Sequence, residues 1–165
     1  MLDIMIEDPR WNDVSFPDLA QRVVCQSLAE LGLNPDICEV SLLGCDDARI
    51  SELNAEFRGK PVPTNVLSWP ENDLAAELAG HSPDLPDPDF TGMCALGDIA
   101  ISWDTCSREA DAADKELDAH ISHLLVHGLL HLLGYDHIRD EDATLMERLE
   151  ARILGKMGIA DPYMI

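Results

Sequence analysis

The sequence predicts a single α+β domain of short strands and longer helices. Two observations carry that class. Segments in which apolar and polar residues alternate are interleaved with segments whose apolar residues recur at helical spacing. The chain is also 165 residues long with an apolar fraction of 46%, enough for one domain with a real core.

Taken in order, residues 1–8 alternate as a first strand would, and they lack the basic flank and long apolar run of an export signal. Ser15-Phe16-Pro17-Asp18 opens a helix, with proline in its first turn and serine as a cap. Leu19, Val23, Val24, Leu28 and Leu31 make its apolar stripe, and Gly32 stops it. Residues 37–43 read as a second strand. Asp46 or Asp47 then caps a short helix carrying Ile50, Leu53 and Phe57. Two prolines stiffen the next loop, and residues 66–69 form a short strand. Residues 71–94 are acidic and proline-rich, which predicts an exposed, mobile loop.

Residues 95–102 alternate again. A regular strand there puts Leu96, Asp98, Ala100 and Ser102 on one face and Gly97, Ile99 and Ile101 on the other. Asp104 or Thr105 caps a helix to about residue 114. Residues 115–133 are apolar all round except for a stripe of histidines, which predicts a central helix. A last helix over 139–155 packs through Leu145, Met146, Leu149, Ile153 and Leu154, and the tail after Gly158 should be loosely held.

The histidine stripe carries the chemistry. His120, His123, His127 and His131 share one side of the helix, with pairs four apart at 123/127 and 127/131. Only the second pair is followed by a glycine, Gly134, that can turn the chain back with another imidazole, His137. One histidine alone reads as a hydrogen-bonded imidazole. His127, His131 and His137 together read as ligands of one metal ion. His120 and His123 read first as ordinary imidazoles outside the site, with contact to the ligands from outside as the alternative. Three neutral imidazoles with one position open is the ligand set of a catalytic zinc. The spacing is similar to the metzincin pattern H-E-x-x-H-x-x-G-x-x-H. Gly128, however, stands where those peptidases place the glutamate that acts as general base.

The full string from His127 to His137, H-G-x-L-H-L-x-G-Y-D-H, resembles the signature of the YbeY family, metal-dependent endoribonucleases of ribosomal RNA maturation. Residues 58–70 are similar to that family's R-G-K-x-x-P-T-N-V-L-S-F-P segment, with Trp69 in place of phenylalanine, and residues 96–101 to its L-G-D-I-x-I. The resemblance spans roughly residues 57–137. It implies a YbeY-type, metalloprotease-like fold with the metal on a central helix. With the periodicities it gives the order β-α-β-α-β-β-α-α-α, a small mixed sheet and about five helices.

The resemblance also implies an activity. It points to a zinc-dependent, single-strand-specific endoribonuclease acting on the 3' end of 16S ribosomal RNA and in ribosome quality control. The implied partners are ribosomal RNA and a ribosomal protein or assembly factor, with no DNA and no membrane. Alone, Arg58 and Lys60 read as solvated loop charges. The resemblance makes Arg58 a catalytic, phosphate-facing guanidinium. Zinc on His127, His131 and His137 would lower the pKa of a bound water and polarise a phosphate oxygen. Asp136 would orient an imidazole. Asp98, a carboxylate within a strand, needs a partner or solvent, with support of the ligands from outside as an alternative. Two other readings stay open. A zinc metallopeptidase-like hydrolase needs a carboxylate base; a non-catalytic assembly factor needs a fourth protein ligand, such as His123 or Asp136, to close a structural site.

Charge conflicts with RNA as substrate. Eleven basic against 32 acidic residues give a net charge of −21, which repels nucleic acid at long range. Between Lys60 and Arg108 there is no basic residue. Local cations and a protein partner would therefore have to deliver the RNA. The five cysteines include no C-x-x-C pair, and an odd number argues for free, buried thiols in the cytoplasm. No apolar run is long enough for a membrane span.

Overall fold

A computed structural model describes residues 2–163; Met1, counted above in the first strand, lies outside them, as do Met164 and Ile165. Four strands, β1 (Leu2–Ile6), β2 (Cys38–Cys45), β3 (Val66–Pro70) and β4 (Cys94–Ser102), form one sheet in the order β1-β2-β4-β3. The first three neighbours run parallel, and β3 lies antiparallel on the edge beside β4. Five α-helices accompany them among the described residues: α1 (Phe16–Glu30), α2 (Asp47–Arg58), α3 (Trp103–Ala112), α4 (Leu117–Leu132) and α5 (Asp140–Lys156). The expected α+β class, mixed sheet and element order are all present.

The sheet divides the apolar residues unequally. Val40, Leu42, Ile99 and Ile101 face α1 and α4 in the large core, joined by Leu149 and Ile153 of α5. On the opposite face only Ile50 and Leu53 of α2 cover Leu67 and Ala100. Leu125, Leu129 and Leu130 of α4 are almost wholly buried, so the helix expected to be central is central. That burial holds its histidines in place.

Strand β4 departs from simple alternation. Opposite Glu39 and Val40 of β2 stand Ala95 and Gly97, so Leu96 is an extra residue in a bulge. Leu96 thereby joins Ile99 and Ile101 in the large core rather than the face of Ala100. Gly97 makes the bulge possible: its φ is 135°, and a Cβ there would lie 2.1 Å from the Trp69 carbonyl oxygen. Asp98 sits on the Ala100 side, exposed and away from α4, so it does not support the histidines.

The local capping signals hold in part. Asp46 does cap α2, accepting from the Arg49 N–H at 2.9 Å. Ser15 precedes α1 in a left-handed conformation and makes no side-chain cap. A 3-10 turn, Pro9–Val14, was not foreseen; it buries Trp11, whose Nε1–H donates to the Cys45 carbonyl at 3.0 Å. The acidic loop is exposed but tied down. Arg139 donates to the Glu77 and Ala76 carbonyls at 2.9 Å each, and the Gly80 N–H donates to Asp142. Cys25, Cys45, Cys94 and Cys106 are free thiols, Cys25 half-buried and the other three buried, and Cys38 is buried as well. No helix among the described residues is long and apolar enough to cross a membrane.

Candidate metal centre

Helix α4 places His127 and His131 one turn apart on one face. Their rings meet edge to face with centroids 4.5 Å apart. The helix ends in a Schellman arrangement: the Tyr135 N–H donates to the Leu130 carbonyl at 3.0 Å and the Gly134 N–H to the His131 carbonyl at 3.1 Å. Gly134 takes φ 97°, and a Cβ there would lie 2.7 Å from the Leu74 carbonyl carbon. Only glycine fits both the turn and the loop packed against it. The reversed chain brings the His137 ring to 5.4 Å from His127 and 5.2 Å from His131. One nitrogen from each of the three lies within 4.8 Å of the others, a grouping that can hold a metal ion.

Proton positions follow from the partners. His131 Nδ1 lies 3.0 Å from the Tyr135 carbonyl oxygen, and His127 Nδ1 lies 2.6 Å from Glu150 Oε1. Both oxygens only accept, so both Nδ1 atoms must donate. In the neutral rings that a metal requires, the Nε2 atoms carry lone pairs, and they face each other at 3.0 Å. Two lone pairs cannot share a hydrogen bond without a proton, but they can share a cation. Tetrahedral Zn–N bonds of roughly 2.0–2.1 Å set ligand nitrogens about 3.3 Å apart, close to this spacing. The donor set therefore fits a metal ion. Burial, then the neighbouring His127, pushes His131 from its ordinary 6.5 down to about 4, which keeps it neutral and able to ligate.

That depression has a consequence for stability. In the unfolded chain His131 takes up a proton near 6.5, whereas folded it resists until about 4. The contribution is complete above 6.5 and is lost as pH falls towards 4. Thermal unfolding of the metal-free protein should show a falling midpoint across that window. His131→Gln should flatten the fall, and an equally steep loss in that variant would refute the assignment.

Glu150 was not foreseen. It is fully buried on α5 and accepts from His127, from His123 Nε2 at 3.3 Å and from the Tyr163 hydroxyl. Burial opposes its ionisation, but the hydrogen bonds from His123, His127 and Tyr163 prevail and hold it at about 2. It is thus a fixed anion behind the first imidazole, fixing its tautomer and raising its basicity. Glu150→Gln should weaken metal binding by about 10–100-fold, read by competition with a chromophoric chelator. An unchanged affinity would remove Glu150 from the site. Tyr163 also corrects the expectation of a loose tail, since its hydroxyl pins the chain after Gly158 to Glu150.

The remaining candidates separate. His123 touches the site through Glu150 and through the edge of the His127 ring, with centroids 6.4 Å apart, and is not part of the ligand cluster. His120 points away, donating to Glu109 on α3 at 2.9 Å. Asp136 orients no imidazole; its Oδ1 accepts the His137 backbone N–H at 2.7 Å and braces the turn. A Cβ on Gly128 would start 3.1 Å from Ser68 Oγ and 3.3 Å from two Ile99 carbons. Close packing of helix on sheet occupies the place of a peptidase's glutamate.

The three histidines open into a cleft of about 700 Å³ between α4, β3 and the end of α2. Arg58, the last residue of α2, lines it, whereas Lys60 does not. Among the described residues Arg58 makes no hydrogen bond or ion pair, so its guanidinium is available to a ligand. Facing the same space are Glu71, Asp73 and Asp136. One guanidinium against three carboxylates leaves the cleft negative, and a divalent ion on the histidines would offset the excess.

Comparison with known proteins identifies the family. The family model described as Endoribonuclease YbeY matches residues 5–158. A protein of Ruegeria pomeroyi named Endoribonuclease YbeY is 67% identical over 98% of this chain and 97% of its own length. One of Jannaschia sp. with the same name is 52% identical over 98% and 99%. The solution structure of a Thermotoga maritima protein covers both chains fully with a TM-score of 0.56 at 19% identity, a likeness of fold. On the family match and these identities, the chain belongs to the endoribonuclease YbeY family.

Proposed function

We propose that residues 1–165 act as one metal-dependent, single-strand-specific endoribonuclease domain with zinc on His127, His131 and His137. Its substrate is ribosomal RNA in the cytoplasm, at the 3' end of the 16S precursor and in ribosome quality control. The observation that carries this reading is the pair of Nε2 atoms of His127 and His131, facing each other at 3.0 Å beside His137. Arg58 stands unpaired in the same cleft. The names of the relatives supply the substrate class.

When bound, the metal supplies Lewis acidity at a phosphate oxygen and acidifies water. The chain does the rest. Glu150 and the Tyr135 carbonyl hold the two helical imidazoles in one tautomer. Arg58 meets the charge that develops on the phosphate. Asp136 and Gly134 set the position of His137. The peptidase alternative lacks a carboxylate base at residue 128. The structural-metal alternative needs a fourth protein ligand, and among the described residues the cluster comprises three imidazoles, with His123 bonded to Glu150 and Asp136 Oδ1 to the His137 N–H. The net charge of −21 makes a ribosomal protein or assembly factor the means of delivery. Incubating the zinc-loaded protein with a labelled single-stranded RNA, its duplex and a peptide tests the reading. Cleavage of the single strand alone is expected. No RNA cleavage, or hydrolysis of the peptide, would sink it.

A further inference from the structure

The geometry points to Phe57 as a stacking platform for the nucleobase beside the scissile phosphate, and so as the residue that selects single-stranded RNA; this rests on the endoribonuclease reading above. Phe57 follows Ile50 and Leu53 at helical spacing. Ile50 is buried, but Phe57 is 53% exposed. Its ring meets Trp69 edge-on, with centroids 5.2 Å apart and an interplanar angle of 68°. Trp69 is itself packed on the small core under α2. The phenyl ring is therefore braced on one side by Trp69, and Phe57 also lines the cleft of the three histidines.

Three features fit a nucleobase there. A nucleotide carries an anionic phosphate and a flat apolar base within one residue's length. Phe57 and Arg58 offer the complements of both as neighbours at the end of α2. The cleft also carries Glu71, Asp73 and Asp136, so electrostatic attraction to the backbone is weak. Stacking on an aromatic face needs no charge and tolerates any base. In a duplex each base is already stacked and paired, leaving no face for the ring. An exposed aromatic ring at this position therefore discriminates between single and double strands without reading sequence.

The test pairs Phe57 variants with short single-stranded RNA oligonucleotides bearing one abasic ribose at successive positions around the cleavage point. Phe57→Leu, which keeps apolar packing on Trp69 but lacks a π face, should raise KM about tenfold with little change in kcat. Phe57→Trp should keep the wild-type KM. At one position the abasic substitution should raise KM about tenfold for the wild type and add nothing for Phe57→Leu. Circular dichroism and metal content check that each variant is folded and loaded. If the two effects multiply at every position, or if Phe57→Trp behaves as Phe57→Leu does, stacking is refuted while the endoribonuclease reading stands. If the folded, zinc-loaded wild type cleaves none of the oligonucleotides, both fall.

Discussion

Arg58→Ala is expected to lower kcat for RNA cleavage by about a hundred- to a thousandfold, with fold and metal content unchanged. The expectation follows from what Arg58 does not do. It makes no ion pair or hydrogen bond among the described residues, and it is exposed at the end of α2. Its removal takes away neither packing nor a structural contact. Gly59, in the left-handed conformation after it, ends the helix with or without the guanidinium. What is lost is the only arginine or lysine lining a cleft that also holds three carboxylates. A phosphate gaining negative charge in the transition state then faces those carboxylates with the metal as its sole counterion. Arg58→Lys should recover part of the rate, because an ammonium restores the charge but not two parallel N–H donors. Single-turnover rates at saturating RNA separate the effect from binding. A folded, metal-replete Arg58→Ala protein with wild-type kcat would show that Arg58 is a solvated surface charge.

How far the sequence revealed this arrangement depended on the type of signal. Histidines four apart, a glycine and a further histidine form a local pattern, and helix geometry converts it directly into three converging rings. The strands and helices were legible for the same reason, since each is set by the periodicity of its own residues. Glu150 was not legible. It follows Leu149 and lies four residues after Met146, inside the apolar stripe of α5, and a carboxylate in such a stripe was the available clue. In a chain with 32 acidic residues, one more on a helix drew no notice. The faces of β4 were misassigned because a bulge is a relation between two strands, and Gly97 was its only local mark. Asp136 and Asp98 were given roles by their nearness to a motif in sequence. The backbone sends one to a peptide N–H and the other to the far side of the sheet. Phe57 keeps its helical spacing but is exposed, because α2 alone covers that face and ends there.

His131→Ala is expected to have the largest effect of all, removing both the ion and at least about a thousandfold of the cleavage rate. His131 is partly buried, as His127 is, kept neutral by its surroundings and aimed by the Tyr135 carbonyl. Without it, His127 and His137 remain as a two-nitrogen site, one of them exposed. Losing the ion also leaves the cleft with more carboxylates than cations, so RNA binding should weaken together with the chemistry. Residual weak binding by two imidazoles is expected only at high metal concentration.

Metal content and cleavage rate measured on the same samples test the central claim most directly. The samples are the wild type as purified, after stripping by a chelator, and after zinc is returned, with His131→Ala treated in parallel. The account predicts one ion per wild-type chain, loss of single-strand cleavage on stripping, and recovery in proportion to the zinc restored. His131→Ala should stay without metal and inactive throughout. A stripped wild type that cleaves RNA at the full rate, or a His131→Ala protein that retains one tightly bound ion, would contradict it.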